Sequence, residues 1–153
     1  MKKLLSALLL VGAIVFAYRW FTGWTAYRAY ERFAEAWVHG DGIEAAKYGD
    51  APTVKHALEE RSLRGTPGGA AMEAFRGERY AVESQTRSSG GAVELKVLQT
   101  IFFDPPGITS GIGGAMLAHF RHKATVRKTS DGWRVVAFEP TYLDMASVRP
   151  GRS

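Results

Sequence analysis

At 153 residues, with 46% apolar and 23% charged residues, the chain fits one ordinary domain plus a short appendage, and it is neither disordered nor collagen-like. The net charge of +5 comes from scattered Arg and Lys without a continuous run. No nucleic-acid recognition motif accompanies it, so nucleic acid is not an expected partner. The chain has no cysteine, which rules out disulfides, thiolate metal sites and a thiol nucleophile.

Lys2 and Lys3 precede an uncharged run from Leu4 to Tyr18, the layout of a secretion signal. Val11 with Ala13, and Val15 with Ala17, are pairs at which a signal peptidase would cut, releasing a soluble protein. The run spans about 22 Å as a helix, and Leu4 to Trp24 would cross the roughly 30 Å core of a bilayer. Tyr18, Trp20, Phe21 and Trp24 then form an interfacial aromatic belt, with Arg19 reaching the headgroups. Bulky aromatics and an arginine just past the cleavage pairs favour an uncleaved anchor over residues 1–24. Both outcomes place the rest of the chain outside the cytoplasm, as a periplasmic or extracellular domain; for the anchor, this is a single-pass membrane protein. The positive-inside rule adds little, because Arg19, Arg28 and Arg32 offset the two lysines.

From Thr25 to His39, Ala26, Tyr30, Phe33, Ala34, Trp37 and Val38 recur at three- and four-residue spacing, which predicts an amphipathic helix ended by Gly40. A second short helix follows Asp41 as N-cap, with Ile43, Ala46 and Tyr48 inward. Asp50 caps a third, with Pro52 in its first turn and Val54, Ala57, Leu58 and Leu63 facing the core. "RGTPGG" breaks the chain, and "AAMEAF" adds a further helical turn before Gly77. The period then changes from helical to alternating. "ERYAVESQTR" puts Tyr80, Val82, Ser84 and Thr86 on one face, and "SSGG" turns it into "AVELKVLQTIFF". After "DPPGITSGIGG", "AHFRHKATVRK" and "WRVVAFEPTYL" form a second hairpin across "SDG".

The expected fold class is therefore α+β: an N-terminal transmembrane helix, then a domain at 25–145 of about three helices on one face of an antiparallel sheet of about four strands, then a flexible tail at 146–153. This order, with "AEAWVHGD" closing the long helix and "HKATVRKTSDGWRVVAFEP" closing the sheet, resembles the nuclear transport factor 2-like, or cystatin-like, superfamily over roughly Ala26 to Leu143. The resemblance implies a cone in which a curved sheet wraps the long helix and leaves a pocket. Its members include isomerases, dehydratases, transport adaptors and periplasmic domains of secretion subunits, so the fold does not name the function.

His122 shares an alternation face with Phe120, Ala124 and Val126, and Glu139 shares one with Trp133, Val135 and Ala137. If both faces line the pocket, the pair is a base and its orienter, as an isomerase or dehydratase would need; the plainer reading is pocket-wall polar residues with no catalytic task. No family catalytic motif matches these positions, so no catalytic residue is assigned. Trp37, Tyr48 and Phe75 join His122 and Glu139 as candidates for lining a pocket for a small apolar ligand, with ordinary core packing as the alternative. His119 and His122 are three apart and face opposite ways on a strand, so no metal site is expected, and "GITSGIGG" lacks both the dinucleotide fingerprint and the phosphate-loop lysine, so no other cofactor is expected. Asp104 and the prolines after it read as a turn, and "GITSGIGG" as a loop at the rim.

Leu98, Phe102, Val136 and Phe138 alternate with Val97, Ile101, Val135 and Ala137, which makes the sheet apolar on both sides. Either its outer face meets a partner, a second copy included, or the register differs from this assignment. The expected role is a membrane-anchored, non-catalytic domain in the cell envelope, acting in protein–protein interaction or in binding a small apolar ligand. The alternatives are a small pocket enzyme and an inner-membrane subunit of a secretion assembly, held by envelope protein partners.

Overall fold

The computed structural model describes residues 2–63, 75–104 and 116–147; within these, the side chains of 2–10, 16, 18–24, 62, 63 and 147 are outside the description. Among these residues three helices, α1 (Lys2–His39), α2 (Gly42–Tyr48) and α3 (Ala51–Leu63), precede four strands, β1 (Phe75–Arg87), β2 (Val93–Phe103), β3 (Met116–Thr129) and β4 (Gly132–Ser147). The strands form one antiparallel sheet in the order β1-β2-β3-β4. The fold class is α+β, as the change of period predicts.

Helix α1 runs 38 residues without a break, joining the uncharged N-terminal run to the amphipathic segment. Its face Ala26, Tyr30, Phe33, Ala34, Trp37 and Val38 is buried, as the spacing predicts. Burying each large apolar side chain there stabilises the fold by about 1.5–3 kcal/mol. Further towards the N-terminus, Val11, Ile14 and Val15 are 59%, 60% and 52% exposed. Among the described residues no helix is long and apolar enough to cross a membrane. Most of the uncharged run, and the interface candidates Tyr18, Arg19, Trp20 and Trp24, have side chains outside the described ones.

At the other end of α1 the chain reverses through Gly40, whose φ of +70° suits only glycine at low cost. Gly40 N–H donates to Trp37 O at 3.1 Å and Asp41 N–H to Ala36 O at 2.9 Å, the paired bonds of a Schellman ending. Asp41 then caps α2 by accepting from Glu44 N–H at 2.9 Å, and Asp50 caps α3 by accepting from Thr53 N–H at 2.9 Å. In α2 the inward residue is Ala45; Ile43 is 83% exposed and Ala46 is exposed, contrary to the spacing argument. Seven residues hold too few turns to set their own phase, and the cap and the close approach at Gly49 set it instead. A Cβ on Gly49 would stand 2.5 Å from the Phe33 ring.

The described strands carry four register shifts, and two of them re-sort the faces that bear on the site. In β1 the register shifts between Val82 and Ser84, so Tyr80 and Val82 lie over Gln99 and Val97 on the inner face while Ser84 and Thr86 pair with Lys96 and Glu94 on the outer one. In β4 the shift lies beside Val135, so Val135 pairs with Val126 and Phe138 with Ala124, both inner. Phe138 is therefore core, 2% exposed, and does not oppose Val135. Phe75 opens β1 rather than closing a helical turn. β4 continues to Ser147, taking in the first two residues assigned to the tail. The rest of "AAMEAF", at 70–74, and the rim loop "GITSGIGG" lie outside the described residues.

Candidate functional site

The inner face carries a buried polar seam between α1 and the sheet. Register places Val97, Gln99, Phe120, His122, Phe138 and Pro140 on this face, and α1 lays Tyr30, Phe33 and Trp37 over them. His122 has no exposed surface. Its ring is boxed edge-on by Phe138, Trp37 and Tyr30, with centroids 4.8, 5.5 and 6.0 Å away. Tyr30 Oη lies 2.7 Å from His122 Nδ1. We assign the phenol as donor, since this leaves the Tyr30 hydroxyl satisfied and puts the imidazole proton on Nε2. Burial pushes the His122 pKa down to about 3, so the ring is neutral at physiological pH.

Beside it, Gln99 Nε2 donates to Glu78 Oε2 at 2.6 Å and to the Tyr80 hydroxyl at 3.1 Å, and that hydroxyl donates to Glu78 Oε2 at 2.7 Å. Burial raises the Glu78 pKa against the opposing pull of those two donors. Burial also raises Tyr80 and Tyr30 well above the ordinary phenol range, with the Glu78 charge adding to both. Tyr30 meets Tyr80 edge-on at 6.1 Å and so joins the two halves of the seam. Gln99 Oε1 and His122 Nε2 are buried without a partner among the described residues.

Of the five pocket candidates, Trp37 and His122 meet edge-on in the core, while Tyr48, Phe75 and Glu139 lie elsewhere. Trp37 is buried in the core, where its indole N–H donates to Ala57 O at 2.9 Å. Tyr48 and Phe75 pack on the rim of that core, Phe75 against His39 at 5.0 Å. Glu139 pairs with Lys123 on the outer face, while His122 pairs with Pro140 and points inward. The β4 bulge causes this separation, because the residue inserted at Val136 moves the side chains from Ala137 to Tyr142 to the other face, until a second shift at Leu143 restores the phase. The base-and-orienter arrangement of His122 with Glu139 is absent. Glu139 instead lines an open outer depression of about 210 Å³ with Glu94, Lys96, Lys123 and Thr125.

Sequence reading placed Tyr30 in the core without its bond to His122, and it missed Gln99 and Glu78. A usable signal existed for Gln99: it interrupts Val93, Leu95, Val97 and Ile101 in the inward phase of an otherwise apolar strand. Among the described residues, no group of three or more His, Asp or Glu could hold a metal ion. Chemically, a neutral imidazole sealed among aromatic rings fixes the seating of α1 on the sheet. No protein-family model, curated protein or solved structure matches the chain.

Proposed function

We propose that this chain is a single-span, membrane-anchored envelope protein whose domain, of the nuclear transport factor 2-like type, faces the periplasm or cell exterior and works through protein–protein contact. The observation that carries the reading is the continuity of α1: one unbroken helix begins in the uncharged run, exposes Val11, Ile14 and Val15, and becomes the central core helix from Ala26 onward. Such a helix makes the domain a rigid extension of its anchor. The buried Tyr30–His122 bond supports this, because a directional bond between α1 and β3 allows fewer ways of seating α1 than apolar packing would. The working surface is the outer sheet face, where half-buried Leu98, Phe102 and Leu117 are framed by Arg79 over the Phe102 ring and by the Arg121–Glu83 ion pair. A second copy of the chain is the first partner to test on this face.

Because the chain has no cysteine, one introduced thiol reports both claims. Lys123→Cys, on the exposed outer face of β3, should react with a membrane-impermeant maleimide in intact cells and form a disulfide-linked dimer under mild oxidation. Labelling only after lysis would reject the topology, and a monomer that stays uncrosslinked at high expression would reject self-association.

A further inference from the structure

We infer that the two hairpin turns of the sheet rest on the membrane and that Arg87, Arg127 and Lys128 bind anionic lipid headgroups there; this rests on the anchor reading above. Direction comes first. Tyr30 lies over Tyr80 and His122, whereas His39, further along α1, meets Phe75. Helix α1 therefore runs antiparallel to β1, and its N-terminal half heads for the Arg87 end. Register puts Arg87 opposite Val93, Val93 opposite Val126 and Val126 opposite Val135, so both turns, Ser88–Ala92 and Ser130–Asp131, lie at that end.

Distance comes second. From Tyr80 to Arg87, allowing for the bulge, is about 20 Å of strand at 3.3 Å per residue. Helix α1 covers that in about 13 residues at 1.5 Å each, which brings it level with the turns near Ala17. That is where the uncharged run ends and Arg19, the first charge after it, stands. The exposure of Val11, Ile14 and Val15 agrees, since nothing in the domain reaches past the turns to cover them. This placement puts the uncharged run of about 22 Å, and not the longer Leu4–Trp24 span, in the hydrocarbon; local thinning of the roughly 30 Å core and snorkelling of Lys2, Lys3 and Arg19 accommodate it and leave the turns at the headgroup layer.

Chemistry comes third. Arg87, Arg127 and Lys128 are exposed and make no ion pair among the described residues, in contrast to Arg76, Arg121 and Lys47, which are paired. Asp131 is the sole acidic residue in either turn. Half-buried Trp133, opposite Lys128, adds an aromatic suited to the interface. Each basic residue held at an anionic surface is worth about fivefold in binding.

The test uses the full chain reconstituted in phosphatidylcholine vesicles with or without phosphatidylglycerol, carrying a fluorophore on Ser130→Cys or, at the opposite end of the sheet, on Ala146→Cys. A headgroup-borne quencher should reach the Ser130 probe and leave the Ala146 probe bright. Phosphatidylglycerol should deepen the quenching, and the triple reversal Arg87→Glu, Arg127→Glu, Lys128→Glu should reduce the docked-to-free ratio by about a hundredfold or more. About 1 M salt on the unreversed chain, where the screening length is about 3 Å, should have the same effect without altering the fold. Protein that floats with the vesicles while its Ser130 probe stays in water and is indifferent to lipid charge overturns this inference and leaves the anchor standing. Protein that does not float with neutral vesicles overturns both.

Discussion

Acidification should cost this domain stability through one side chain, His122. Its folded pKa is about 3 against an ordinary value of 6.5. The sign follows from which state binds the proton. Below pH 6.5 the unfolded chain takes up a proton that the folded chain refuses, so stability is full above 6.5 and falls as pH drops towards 3. At about 1.4 kcal/mol per pH unit once past 6.5, the loss is about 2 kcal/mol by pH 5. Glu78, whose folded pKa is raised, works in the opposite direction at the acid end, since its folded form gains a proton more readily. The comparison should therefore be with His122→Phe, which keeps an aromatic ring in the box and removes the titration. Urea unfolding of the full chain in mild detergent, followed by tryptophan fluorescence at pH 7, 6 and 5, gives both slopes. The wild type should lose about 2 kcal/mol more than the variant over that range. Equal slopes would refute the claim that this imidazole is held neutral by burial.

Three further substitutions probe the same architecture. Tyr30→Phe deletes the 2.7 Å bond and leaves both His122 nitrogens unpartnered, so denaturant unfolding should show a loss of about 1–3 kcal/mol. Gly49→Ala forces a methyl group to within 2.5 Å of the Phe33 ring and 3.0 Å of Val54, and should lower the melting point through about 1–3 kcal/mol of overpacking. Glu139→Ala, on the exposed outer face, should leave stability within about 0.5 kcal/mol and leave the His122 pH slope unchanged. A shared effect of His122 and Glu139 substitutions on any activity would instead reinstate them as a pair.

The element order was legible because each element carries its own period. Ala26, Tyr30, Phe33 and Trp37 keep one helical face over several turns, and Gly40, Asp41 and Asp50 mark the boundaries with chemistry that has few other uses. Both hairpins announce themselves in the same way, through "SSGG" and "SDG" between alternating arms. Ile43 was misplaced because α2 is one short stretch between two fixed points, and its neighbours decide its rotation. Sequence periodicity carries no information about such a constraint.

The site was less legible, for a reason that lies in the sheet. A strand's pattern assigns faces correctly only until a residue is inserted, and β1 and β4 each insert one near the middle. Up to Val135 the alternation is right; beyond it Phe138 and Pro140 turn inward and Glu139 turns out, so the sequence joins His122 to the wrong partner. The same bulge removes part of the apparent two-sided apolarity, since Phe138 belongs to the core. The outer face keeps half-buried Leu98, opposite Arg121, and Phe102, under the Arg79 guanidinium, with Leu117 beside Phe102, a mixed apolar and cationic surface. The true partner of His122 is Tyr30, and it lies on a different element 92 residues away in sequence. An interior histidine that bonds α1, with no carboxylate bonded to its ring among the described residues, argues that the polar residues of this core hold α1 in one position and favours the proposal that places the working surface on the outside of the sheet.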